Sequence, residues 1–198
     1  MNVKTGLIAE TMSVVRTAPP MAEPIFARAR TVRYVGPVTR ALTERTLARI
    51  EKLLDESPEE EITLFVNSTG GPTGTAMNFF DTITTILKPR LVTLGSGDVD
   101  SSGIIIFLSG EKRYITPRTT LLFHPAGRVF DGHARYTVRE METMLVEDRL
   151  KDEQYAGVVA GASHGMLSVA HVCSMMERHT VLSPEELVAY GLADAVLR

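Results

Sequence analysis

Strand, turn and helix follow one another three times between Thr31 and Leu108, and this succession constrains the fold more than any other feature. Thr31-Val32-Arg33-Tyr34-Val35 reads as a strand, Gly36-Pro37 as a turn, and Ala41 to Leu54 as a helix with Leu42, Leu47, Ile50, Leu53 and Leu54 at helical spacing. The second unit has Ile62 to Val66 as strand, Asn67 to Gly74 as a glycine-rich turn and Thr75 to Leu87 as helix. In the third, Leu91 to Leu94 is the strand, Gly95 to Asp100 the turn and Ser101 to Leu108 a short apolar helix. Parallel neighbours need crossover connections, so the expected class is α/β, a parallel sheet with helices on its faces. In such sheets function collects at the carboxyl ends of the strands, where two of these turns lie.

The rest of the chain extends this plan. Arg113 to Ile115 and Thr120 to Phe123 read as short strands, with His124 directly after the second. A helical pattern from about Arg135 to Val159 carries Val138, Met141, Leu145, Tyr155 and Val159 near one face. It is either an amphipathic helix lying on the core or an arm that packs on another subunit. The last helix is marked by Ser183 as N-cap, Pro184 at its first position, Glu186 to complete a capping box and Gly191 to end it. Residues 1 to about 28, with Pro19, Pro20 and Pro24, show no sustained periodicity and read as an irregular arm before a single domain over 29–198.

Composition narrows the function classes. A chain of 198 residues suits one domain with a full core. A net charge of −3, with both signs spread along the chain, leaves no basic tract to follow a nucleic-acid backbone. The single Cys173 has no partner for an internal disulfide, which points to a reducing compartment. The most apolar run, Ile104 to Leu108, is far shorter than the roughly 20 residues that span a bilayer. No leader pattern is evident around Lys4, so a soluble, cytoplasmic protein without membrane partners is expected. His133, His164, His171 and His179 lack metal-ligand spacing with one another or with Cys173, and neither metal nor cofactor is assigned.

Two turns and one strand end bring together residues suited to acyl transfer. Ser101 follows a strand and a turn containing Gly95 and Gly97 and opens a helix, where free backbone N–H groups and the positive helix end favour an oxyanion. A serine in this position is also a common helix cap. In Asn67-Ser68-Thr69-Gly70-Gly71-Pro72, adjacent glycines let the backbone approach a ligand. His124, fixed at a strand end before Pro125, is placed to take a proton from Ser101, although histidines at strand ends often serve only structure.

In order along the chain, Gly36-Pro37, Phe65-Val66-Asn67-Ser68 with Gly70-Gly71, Gly97 through Ser101 to Gly103, Phe123-His124-Pro125, and Leu182-Ser183 through Tyr190-Gly191-Leu192-Ala193-Asp194 resemble the proteolytic subunit of the Clp (caseinolytic) protease. The resemblance covers about Thr31 to Leu197. It implies a crotonase-like, Clp-type α/β fold of repeated β-β-α and βα units, with a protruding handle helix at about 127–160. It implies an ATP-dependent serine peptidase with Ser101 as nucleophile and His124 as base. The oxyanion hole would come from the Gly71 and Ser102 amides, with Gly70 shaping the turn. It also implies heptameric rings stacked in pairs, a peptide or unfolded-protein substrate lying along Gly127 to Gly132, and an AAA+ ATPase unfoldase as partner.

The sequence departs from that pattern in places. His179 stands where the family has its catalytic aspartate, with Glu177 a nearby carboxylate. Asp98 and Asp100 stand in the turn before the nucleophile, where uncharged residues are usual, and negative charge there opposes an oxyanion unless it points away or caps the helix. Thr63 replaces an aromatic of the pocket that receives an ATPase loop, while Phe65 keeps the other, and residues 1–30 lack the family's gate sequence. Two other functions fit the same residues: a non-catalytic structural ring subunit, and a crotonase-like acyl-CoA enzyme.

Overall fold

The computed structural model describes residues 26–130, 132 and 135–197. Most of the N-terminal arm and His133 therefore lie outside the described residues. Five strands form one parallel sheet in the order β1 (Thr31–Val35), β2 (Ile62–Ser68), β3 (Leu91–Val99), β4 (Lys112–Ile115) and β7 (Ala195–Val196). Helices α1 (Arg40–Glu56), α2 (Thr73–Asp81) and α3 (Gly103–Phe107) supply the crossovers, as the strand-turn-helix succession requires. A separate antiparallel pair joins β5 (Leu121–Leu122) to β6 (Val181–Leu182) and ties the His124 segment to the chain just after His179.

Local chemistry sets the element ends. Thr39 caps α1 by accepting a hydrogen bond from the Leu42 N–H. Ser183 and Glu186 form a full capping box at α6 (Pro184–Ala189), and Gly191 beyond it has φ +68°, as expected from the sequence. The second helix starts two residues earlier than its apolar spacing indicates and finishes in a π-helical turn over Thr82–Leu87. The core is assembled on α3, whose Ile104, Ile105, Ile106 and Phe107 have no exposed surface. Burial of side chains of this size contributes about 1.5–3 kcal/mol each, which anchors the helix following Ser101.

One expectation needs correction, and one open alternative is decided. The third strand does not stop at Leu94; it continues to Val99 through a shift of register after Val66. Gly95 and Gly97 therefore belong to an irregular strand end, which the Asn67 side chain stabilises by donating to Ser96 O at 2.8 Å. The long helix α4 runs over Val138–Ala162 because Thr137 and Glu140 make a capping box that sets its start. Only Tyr155, Ala156 and Val159 of α4 are buried, while Val138, Met141, Leu145, Val146 and Leu150 are exposed. The helix thus does not lie along the core. Its C-terminal turns pack, and α5 (Val169–Glu177) follows with Val172, Met175 and Met176 in the core.

Candidate active site

The glycine turn after β2 and the turn after β3 meet at the carboxyl edge of the sheet. Asp100 N–H donates to Ser68 O and Ser101 N–H to Leu122 O, both at 2.8 Å, so the Ser101 backbone is clamped between β2 and β5. Ser101 itself has φ +53°, a left-handed conformation that a non-glycine residue rarely adopts and that costs on the order of 1–2 kcal/mol. It lies ahead of α3 rather than within it, as Ser102 is the residue flanking that helix. Behind it, the buried Tyr155 hydroxyl of α4 donates to Ser101 O at 3.1 Å.

Only glycine fits opposite this serine. A Cβ on Gly70, which has φ +86°, would lie 2.6 Å from Ser101 Cβ and 2.9 Å from Asp100 O. A Cβ on Gly71 would collide with Val38 O, because the 36–38 segment packs against the turn through a Val38 N–H to Gly70 O bond of 2.8 Å. Gly70 N–H donates to Ser68 Oγ at 3.2 Å. Among the described residues, the Gly71 and Ser102 amides donate to no protein acceptor. The Ser102 hydroxyl donates to Gly71 O at 2.9 Å and so locks the two turns together.

His124 and Ser101 line the same cleft, of about 1130 Å³, with Gly70, Gly71 and Ala126 to Val129. The His124 Nδ1 is 2.8 Å from Pro125 O. A carbonyl only accepts, so Nδ1 carries the hydrogen and Nε2 of the neutral ring is left with its lone pair. The cleft wall is polar, with Arg40, Glu44, Thr73, Asn78, Asp148 and Lys151 around it. The segment after His124 is fastened to α4: Ala126 N–H donates to Asp152 Oδ1 at 2.7 Å, and Arg128 holds Asp148 at 2.8 Å and Glu147 at 2.6 Å.

His179 is exposed and its ring stacks near that of His124, with centroids 6.1 Å apart and planes inclined by 22°. No hydrogen bond joins the two rings among the described residues, and the His124 Nδ1 bond goes to Pro125 instead. Glu177 is also exposed and lies by a separate cavity with Pro125 and Asp152. The acidic turn proves compatible with the site: Asp98 is exposed, and Asp100 Oδ1 accepts the Leu122 N–H at 2.9 Å. Burial, with a smaller contribution from Asp98, raises the Asp100 pKa. Thr63 is buried, and the Arg33 guanidinium lies 4.8 Å from the centroid of the Phe65 ring.

Three residues organise the site in roles that the sequence does not reveal. Asp100, Asp152 and Tyr155 each bond the backbone of the Ser101 and His124 segments. The only available signal was the departure of Asp100 from the uncharged turn. Tyr155 falls on the apolar face that the helical spacing marks, which does not reveal its hydroxyl bond to Ser101, and nothing in that spacing marks Asp152.

The family model for Clp protease matches residues 22–198. The chain belongs to the Clp protease family. Its mixed α/β architecture, with a mainly parallel sheet, is compatible with the Clp-type fold, and membership supports a Clp-like peptidase at family level. No helix among the described residues is long and apolar enough to cross a membrane.

Proposed function

We propose that this Clp family member is a serine peptidase subunit in which Ser101 attacks the scissile carbonyl and His124 acts as base. One observation carries the reading: a serine held at positive φ on a clamped turn shares a cleft with Gly71 and with a histidine whose Nδ1, and not Nε2, is engaged among the described residues. In the first step the Ser101 hydroxyl proton passes to His124 Nε2 as Oγ bonds to the carbonyl carbon. Negative charge developing on the carbonyl oxygen is taken up by the Gly71 and Ser102 amides, which donate to no protein acceptor among the described residues. His124 then returns the proton to the departing amine as the C–N bond breaks. Water repeats the sequence to release the acyl group from Ser101.

The substrate is an extended peptide or unfolded segment, laid along Gly127 to Phe130 beside the open cleft. Family membership supports self-assembly and work with an unfoldase. The exposed apolar residues of α4 suit a ring-to-ring contact, so the protein is expected to act as a chamber, in the cytoplasm. Arg33 over Phe65 and the buried Thr63 alter the surface on which an ATPase loop would dock, so the partner is expected to differ from the usual one.

A fluorophosphonate probe tests the reaction. The assembled protein should label at Ser101, and Ser101→Ala should abolish labelling. His124→Gln should slow it by about 10²–10⁴-fold, the usual contribution of a positioned base. An assembled wild-type protein that resists the probe would refute the reading. The arrangement at position 179 favours one rival, a structural ring subunit, because an exposed, stacked histidine supplies no fixed charge behind the base. That rival predicts stable rings without peptide turnover, with activity only beside a competent paralogue.

A further inference from the structure

A carboxylate lies beside the His124 segment, on an element that the sequence does not mark for this role. Asp152 sits on α4 one turn ahead of Tyr155, so the buried end of a single helix touches both halves of the site. Its Oδ1 accepts the Ala126 N–H at 2.7 Å, which fixes the carboxylate beside the backbone two residues beyond His124. It also lines a small cavity of about 250 Å³ with Pro125, the residue that accepts the His124 Nδ1 hydrogen. We propose that Asp152 is a positioning residue for the base: it holds the His124–Ala126 segment in place and supplies the negative charge that residue 179 does not.

The idea rests on His124 being the base. The side chain is half-buried, so its field is screened less than that of a surface carboxylate. Burial raises the Asp152 pKa, the Ala126 hydrogen bond and the charge of His124 lower it, and Asp148 raises it again. Asp152 is therefore close enough for the His124 ring to act on its carboxylate. Other charged groups surround the pair. Asp100 also acts on His124, but its Oδ1 is engaged by the Leu122 N–H on the nucleophile side. His179 stacks from the link between α5 and β6. Asp148, Arg149 and Glu153 share α4 with Asp152, and Cys173 and Glu177 approach from α5.

Asp152→Asn separates charge from architecture, because the amide oxygen can still accept the Ala126 N–H. In the full-length assembled protein, Ser101 labelling by a fluorophosphonate should slow on its plateau, because the base is less well held and less basic. The acid limb of the pH–rate profile should move to lower pH, since a base without a neighbouring carboxylate holds its proton less tightly. A purely structural role would reduce the amount of reactive protein and leave the limb where it was. Asp152→Glu should recover part of the rate, and Glu153→Gln should match wild type in both readouts.

A second measurement does not depend on catalysis. With ¹³C-labelled histidine, the His124 ring signal, assigned through His124→Gln, should titrate at lower pH in Asp152→Asn than in wild type. An unchanged titration, or an unchanged limb in a reactive protein, would overturn the proposal. A wild-type protein that fails to label Ser101 would refute the peptidase reading alone, and the ring titration would still decide the role of Asp152.

Discussion

The two halves of the candidate site are built by different means. On the nucleophile side, main-chain bonds fix Asp100 and Ser101 to β2 and β5, and glycine at position 70 is required by contact with Ser101. On the base side, the segment from His124 to Arg128 is fastened to α4 chiefly by carboxylates: Asp152 on Ala126, and Asp148 and Glu147 on Arg128. A backbone clamp is indifferent to most changes of side chain, because every non-proline residue supplies the same groups, and it fails only where an added atom collides, as at Gly70. An ionic clamp can be rebuilt or retuned, because it depends on which side chains a separate helix presents. His179, whose ring stacks on that of His124, falls on this adjustable half.

The sharpest way to break the contrast is Gly70→Ala. The added methyl has to displace Ser101 or its turn, and misplacement by about 1 Å costs about a hundredfold in rate. Probe labelling should therefore fall to that extent while circular dichroism stays unchanged; wild-type labelling would show that the turn is less rigid than described. Next is Tyr155→Phe, which removes the donor to the Ser101 carbonyl. Its expected cost of about 1 kcal/mol would be read from the urea midpoint, together with slower labelling. No loss of stability would mean that the nucleophile clamp does not extend to α4.

Much of this was legible in the sequence, for reasons that can be traced. Parallel pairing of β1, β2 and β3 follows from the alternation of apolar strands and helical spacing, and α6 was marked at both ends by Ser183, Pro184, Glu186 and Gly191. The length of β3 was not, because Gly95 and Gly97 signal a turn locally while the Asn67 side chain and β2 hold them in a strand. The pairing of β5 with β6 joins residues some sixty positions apart, which no local pattern encodes. The antiparallel pair also brings the His179 ring beside that of His124.

Smaller effects sharpen the ionic half. Arg128→Ala should slow labelling by a few-fold and should make the residual rate less sensitive to salt, since exposed pairs are screened within about 10 Å at 0.1 M. Equal salt sensitivity in wild type and variant would show that these pairs do not position the His124 segment. The smallest effect concerns acid stability. Hydrogen bonds from Lys151 and then Arg128 lower the Glu147 pKa from 4.5 to about 2. A depressed folded-state pKa means that the unfolded chain binds the proton first, so the contribution is present above pH 4.5 and is lost as pH falls through about 2. Between those values the Tm of wild type should fall more than that of Glu147→Gln, and parallel curves would remove Glu147 from the clamp.

The sequence alone determined the α/β class, the order of the first three strand and helix units and the expectation that Ser101, His124 and the glycine pair lie on one edge of the sheet. These follow from periodicity, capping residues and glycine positions, all of which act within a few residues. Tertiary structure decided which groups stand around the base. It left His179 stacked and exposed, engaged Asp100 with the Leu122 amide, and brought Tyr155 and Asp152 from the end of a long helix against the Ser101 turn and the segment after His124. Charge and hydrogen bonding act through space, and the partners they select here are separated by 22 to 54 residues in the chain.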